Sequence, residues 1–211
     1  MQLAALHVAN LTDARYFSAF GVSWMGFSLD AAGLDHVPTD KLKEIRSWLE
    51  GPAVFGELGA QTPEEAARLA SECSLDGLLA GMFHDVEALS KIPGARIFQE
   101  LVVDPSTRPG ELTGLARASA PFVEAFVLDL CKNPLAAERL LDGDLPILED
   151  LRALCREHRV WLHAEVPAPL LAAVAESLVP HGLCIRGGSE IRPGAKVFDE
   201  LDEWMETAIE L

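Results

Sequence analysis

Positive charge is scarce in this chain. Seventeen Lys and Arg stand against thirty-three Asp and Glu, a net charge of −16 over 211 residues. Such a field repels phosphate backbones and anionic lipid, which argues against nucleic-acid binding. It suits a protein kept apart from its copies by self-repulsion, or one adapted to a salt-rich cytoplasm. Long apolar runs are also missing. None approaches the roughly 18 residues that would cross a bilayer, and the MQLAAL start carries no basic leader, so a cytoplasmic protein without a membrane partner is expected. Cysteine is sparse: Cys73, Cys131, Cys155 and Cys184 are far apart, form no C-x-x-C pair and read as reduced thiols. No Gly/Ser-rich linker or charge block divides the chain, so residues 1–211 are read as one domain.

What the chain does have is alternation. Short apolar or β-branched runs at 3–8, 24–29, 53–57, 77–80, 96–102, 126–130, 160–165 and 183–185 read as eight strands. Between them lie segments with helical spacing and start signals. Thr12-Asp13 precedes the first and Pro38-Thr39-Asp40 the second. Thr62-Pro63-Glu64-Glu65 opens the third with a cap, a Pro at the first helical position and a Glu at capping-box spacing. Later helices are placed at 85–92, 111–119, 144–158, 169–179 and 198–210. Eight strand-then-helix units in this length predict a (β/α)8 TIM barrel. An open doubly wound sheet would want a glycine-rich turn after the first strand, and ANLTD (residues 9–13) has no glycine.

Three segments carry a family resemblance. GVSWMGFSL (residues 21–29), AVFGELGAQTPEEA (53–66) and GSEIRPGAK (188–196) resemble the second strand, the third strand with its helix, and the segment after the last strand of phosphoribosylanthranilate isomerases. The similarity runs in the same order along nearly the whole chain. It implies a barrel related to enzymes that perform an Amadori rearrangement of an aminoaldose phosphate, in tryptophan biosynthesis, without metal or cofactor. That chemistry needs a general acid, a base and a phosphate clamp.

Against that pattern the chain keeps some parts and loses others. EAFVLDL (residues 124–130) resembles the sixth strand, and Asp129 matches the catalytic acid. The base of the family is a Cys ending the first strand, in K-I-C-G; HVAN (residues 7–10) stands here, and Ala9, read as the closing residue, cannot accept a proton. His7 has a suitable ring but is expected two residues deeper, roughly 6.6 Å below. The loop that carries a carboxylate-binding Arg in the family reads DAAGLDH (residues 30–36), whose Asp35 would repel an anthranilate, and the glycine turn after the seventh strand reads His163-Ala164-Glu165. Half of the phosphate clamp survives as Arg186, Gly187, Gly188 and Ser189, where glycine N–H groups at a strand end can face an anion.

The expected catalytic set is therefore Asp129, His7, His163 and Glu57, with Gln99 near them, and the expected ligand-binding set is Arg186, Gly187, Gly188 and Ser189. His163 and Glu165, with Glu57 or Asp129, have the ligand types of a metal site, but His-x-Glu is common by chance; no metal and no cofactor is the expectation. Cys131, two residues past Asp129, lacks a recognisable base partner. Trp24, Trp48, Trp161 and Trp204 read as core. The function expected is a divergent isomerase-like barrel without the standard isomerase site, binding or transforming a small ligand, phosphorylated or not, at the C-terminal mouth. An active phosphoribosylanthranilate isomerase with a replacement base and a noncatalytic binding barrel are the alternatives. The family analogy allows a monomer or a homodimer.

Overall fold

The computed structural model describes residues 1–33, 35–133, 137–143, 145–187 and 199–211. Eight parallel strands close into a barrel in sequence order: β1 (Gln2–Leu6), β2 (Trp24–Ser28), β3 (Ala53–Glu57), β4 (Gly77–Ala80), β5 (Arg96–Val102), β6 (Ala125–Asp129), β7 (Val160–His163) and β8 (Gly182–Arg186). The last strand pairs with the first over five positions, from Gln2 with Gly182 to Leu6 with Arg186, which removes both sheet edges. Around it run α1 (Leu11–Ala19), α2 (Thr39–Trp48), α3 (Pro63–Glu72), α4 (Val86–Leu89), α5 (Glu111–Ser119), α6 (Ala137–Leu141), α7 (Leu148–Glu157), α8 (Ala168–Leu178) and α9 (Asp199–Ile209). This is the (β/α)8 barrel the strand–helix alternation predicts.

The core has two layers because successive strand residues face opposite sides. Ala4, Leu6, Trp24, Phe55, Phe98, Val127, Trp161 and Cys184 fill the barrel interior with Leu79 and Ala125. Their neighbours pack outward against the helices, as Ala5, Met25, Phe27, Val54 and Leu128 do. Large rings in the interior need small partners. A Cβ on Gly182 would lie 2.4 Å from Cε3 of Trp161, so a glycine there is what leaves room for the indole.

The helix starts follow local chemistry. Thr62 and Glu65 form the reciprocal capping box with Pro63 as first helical residue. At α1 the cap is Asn10 rather than Thr12-Asp13: its side chain accepts from the Asp13 N–H, and the helix begins two residues earlier than the Thr-Asp signal suggested. The long helix expected over 144–158 is α7 alone, and the separate turn α6 precedes it. Trp48 is not core. It is 62% exposed at the end of α2, with the Arg15 guanidinium 5.4 Å from its ring centroid. Trp204 is buried and donates its indole N–H to the Val166 carbonyl at 3.1 Å. All four cysteines are free thiols, and among the described residues no helix is long and apolar enough to cross a membrane.

Candidate active site at the barrel mouth

Parallel strands bring all their C-terminal ends to one rim, where catalytic groups of this fold collect. The first strand ends there differently from the sequence expectation. Pairing stops at Leu6, and His7 takes a left-handed backbone with φ of 53°. Past it, the Val8 N–H donates to the Gly26 carbonyl at 2.9 Å and Val8 is buried in the outer layer. Ala9 has left the mouth by then, its carbonyl accepting from Lys41 Nζ at 2.8 Å. The residue that closes the strand is therefore His7, not Ala9. Simple alternation would have turned His7 outward with Ala5; the positive φ turns its ring inward, at a typical cost of about 1–3 kcal/mol.

Glu57 holds that conformation. One carboxylate oxygen accepts the His7 backbone N–H at 2.7 Å, and the other lies 3.0 Å from Nδ1. The carboxylate occupies the space above Gly26, where a Cβ would sit 2.1 Å from Oε1. An acceptor on Nδ1 fixes the neutral ring with its proton there and leaves Nε2 as the free basic nitrogen. Burial works against the charged imidazole, but the hydrogen bond and charge of Glu57 outweigh it, with Arg186 lowering and Asp35 raising by less; the net effect holds the His7 pKa above its ordinary value.

A second carboxylate–imidazole pair is formed by adjacent strands. Asp129 and His163 are register partners across β6 and β7, and Nδ1 of His163 lies 3.0 Å from one Asp129 oxygen. The other oxygen accepts the backbone N–H groups of Cys131 at 2.7 Å and Lys132 at 2.9 Å. Both side chains are buried. Burial alone would raise the Asp129 pKa; the hydrogen bond and charge of His163 and the two N–H donors overcome it and keep the carboxyl below the usual carboxylate range. Asp129 is thus an anion at neutral pH, and as an acceptor it takes the hydrogen bond from His163 Nδ1.

Glu100 and Lys132 were not foreseen. Glu100 is buried in β5, two residues beyond the inward-facing Phe98, and its carboxylate pairs with Lys132 Nζ. Burial pushes its pKa up, Lys132 opposes this, and the charge and hydrogen bond of Asp129 push the same way as burial. The inward phase of Phe98 was the available sequence signal. It also corrects Gln99, which lies on the outward phase, buried, its Oε1 without a hydrogen-bond partner among the described residues. Cys131 joins the second pair: ligand atoms of Asp129, Cys131 and His163 all lie within 4.8 Å of one another. Burial, then the charges of Asp129 and Glu165, push its thiol up to about 12. Glu165 itself is exposed.

The expected phosphate side is otherwise occupied where it is described. Gly187 has no free N–H: it donates to the Leu6 carbonyl at 3.0 Å, continuing the β8–β1 pairing. The Arg186 guanidinium is paired with Asp35, which itself lies 3.8 Å from His7 Nδ1. Gly188 and Ser189 lie outside the described residues. The mouth thus gathers Asp35, Glu57, Glu100 and Asp129 against Lys132 and Arg186, with His7 and His163 between them.

The sequence matches no family model and no curated protein. In fold it is similar to phosphoribosylanthranilate isomerases. That of Thermotoga maritima shares 17% identity with full coverage of both chains and a TM-score of 0.78. The N-(5′-phosphoribosyl)anthranilate isomerase of Pyrococcus furiosus gives 15%, full coverage and 0.76. The Thermus thermophilus enzyme gives 20%, with 100% of this chain and 99% of that one, and 0.74. At these identities the likeness defines the architecture, a phosphoribosylanthranilate isomerase-like barrel.

Proposed function

We propose that this barrel is an acid–base enzyme that moves a proton on a small polar molecule held at its mouth. The reaction class suggested by the fold is isomerisation of a hydroxy-carbonyl compound of aldose–ketose type. The observation that carries the proposal is the doubled arrangement: two imidazoles, each with Nδ1 3.0 Å from a carboxylate, on β1 and β7, with Glu57 and Asp129 as their partners on β3 and β6. His7, with its pKa raised and Nε2 free, serves as the base; His163, backed by an ionised Asp129, serves as the proton donor.

The ordinary anthranilate substrate fits this lining poorly. It would bring a carboxylate and a phosphate to a rim where, among the described residues, the cations Lys132 and Arg186 are already paired. A phosphorylated ligand would depend on Gly188 and Ser189, since Gly187 and Arg186 are engaged. A neutral or cationic ligand suits the excess of carboxylates better.

The test is exchange of carbon-bound hydrogen for deuterium, followed by proton NMR in D2O, over a panel of uncharged and phosphorylated aldoses and ketoses. Exchange that falls about 10²–10⁴-fold in His7→Asn is expected. A panel without exchange would favour a noncatalytic binding barrel. Because His7 fills the strand-end position of the family's base, phosphoribosylanthranilate belongs in the panel: turnover of it, lost in His7→Asn, would make the chain an ordinary isomerase with a replaced base.

A further inference from the structure

We infer that Asp129, Cys131 and His163 form a binding site for a thiophilic divalent cation of the zinc class. The inference rests on reading the mouth as the functional site; in loaded protein the ion takes over from His163 the polarising of a ligand oxygen, and His7 remains the base. A carboxylate, a thiol sulfur and an imidazole nitrogen, contributed by the end of β6, the residue two past it and the end of β7, converge within 4.8 Å of one another. Carboxylate and imidazole atoms are 3.0 Å apart. On a tetrahedral ion with bond lengths of about 2.0–2.1 Å, two such atoms sit roughly 3.3 Å apart, so the two stand near the spacing of a coordination edge, reached when their hydrogen bond gives way to the ion. The sulfur needs to close by about 1.2 Å at most, since a thiolate on the same ion stands roughly 3.6 Å from its neighbours.

The donor types choose the metal. Calcium and magnesium want oxygen shells of six or more, whereas sulfur with imidazole and one carboxylate suits zinc, or cobalt in its place. Three protein ligands leave a fourth position, the arrangement of sites that act on a substrate. Asp129 and His163 are buried and Cys131 is half-buried, so the open side lies toward Cys131. On binding, the Cys131 S–H proton leaves to solvent and a metal–sulfur bond replaces it, while the His163 ring proton passes from Nδ1 to Nε2 by way of solvent and a metal–nitrogen bond takes its place. The two anions, Asp129 and the thiolate, then balance the charge of the ion.

The local field favours this occupant over an anion. Asp129 and Glu165 both act on Cys131, and Asp129 acts on Glu100. Among the described residues the nearby cations Lys132 and Arg186 are held by Glu100 and Asp35. The backbone N–H groups of Cys131 and Lys132 on the far carboxylate oxygen orient Asp129 as a supporting shell does in metal sites.

The experiment titrates chelator-treated protein with Co²⁺ followed by absorbance and with Zn²⁺ followed by calorimetry. One equivalent is expected, with a thiolate-to-cobalt band in the near ultraviolet. Cys131→Ser should abolish the band and weaken Zn²⁺ binding at least about a hundredfold, more than loss of a mere supporting group. His163→Gln should weaken it similarly, and Cys155→Ser should not. Circular dichroism of each variant separates loss of site from loss of fold. Weak binding of several ions, matched by Ca²⁺ and unchanged in both Cys131→Ser and His163→Gln, would overturn the inference. The exchange assay run on chelated protein keeps the two readings apart. Exchange that depends on His7 with no cobalt band sinks the metal site alone, and a cobalt band with no exchange by loaded protein sinks the proton-transfer reading alone.

Discussion

Replacing Glu57 by Gln keeps the shape of the side chain and removes its charge. The Gln carbonyl can still accept the His7 N–H, held at 2.7 Å in the native protein, so the left-handed turn should survive. What is lost is the charge-assisted contact to Nδ1 at 3.0 Å. Such a bond contributes about 1.5–3 kcal/mol when buried; with the His7 side chain 27% exposed, about 1–2 kcal/mol is the reasonable range. The sign follows from the direction of the shift. His7 titrates higher in the folded protein than unfolded, so the pair stabilises fully below the unfolded value of about 6.5 and ceases to as pH rises through the folded value. In Glu57→Gln, burial and Arg186 act with only Asp35 against them, and the imidazole should titrate lower than in the native protein. The assay is urea unfolding at pH 5.5 and pH 8.5, with the His7 ring followed by NMR. The variant should lose about 1–2 kcal/mol more at the acid pH than at the alkaline one. Equal losses at both, with an unmoved His7 midpoint, would refute Glu57 as the group that sets this base.

Gly26→Ala places a methyl 2.1 Å from Glu57 Oε1 and must displace the carboxylate; we expect a loss of about 1–3 kcal/mol by thermal unfolding, and deuterium exchange reduced as in His7→Asn. Asp129→Asn should cost about 1–3 kcal/mol at pH 7. Its carboxyl is held far below the ordinary value of about 3.9, so the native advantage is complete above that pH and is lost only as pH falls through the folded value; the difference between the two proteins should persist at pH 4 and be only partly lost at pH 3. Phe55→Ala removes a ring 4.7 Å from Phe98 and 5.0 Å from Trp24 in the barrel interior, and should lower stability by about 3–5 kcal/mol in denaturant titration.

The strands most legible in the sequence were those bounded by sharp punctuation. β3, β4 and β5 follow Pro52, Asp76 and Gly94-Ala95 and match the apolar runs residue for residue. β1 and β7 each end two residues before the apolar runs at 3–8 and 160–165 do. A period-2 pattern carries no information on the sign of φ, and at His7 that sign decides which way the ring faces. Asp129, Glu57, His7 and His163 were recognisable as polar residues at strand ends. Their pairing was not, because the contacts join positions 50 and 34 apart in sequence and depend on barrel closure. The Glu100–Lys132 pair spans 32 positions and was hidden for the same reason. Trp48 was misplaced because an apolar helical face does not reveal whether a neighbour covers it.

The chemistry of the rim depends on what lies one residue pair below it. In β3, β5 and β7 an aromatic ring fills the interior two positions before the polar group: Phe55 before Glu57, Phe98 before Glu100, Trp161 before His163. Val127 does the same beneath Asp129 and Cys184 beneath Arg186. Trp24 packs against Phe55, Phe98 and Trp161 with centroids 5.0–5.5 Å apart, so this floor is continuous. Water reaches the rim from one side only, and charges there act on one another through protein rather than solvent. This is why Glu100 rises and Asp129 falls although both are carboxylates on neighbouring strands: burial, helped by the charge of Asp129, outweighs Lys132 at Glu100, whereas His163 and two N–H groups outweigh burial at Asp129. A rim of this kind separates proton donors from proton acceptors by environment. It follows that polar substitutions in the floor, remote from any ligand, should blunt the chemistry of the mouth by letting its carboxylates return toward one common value.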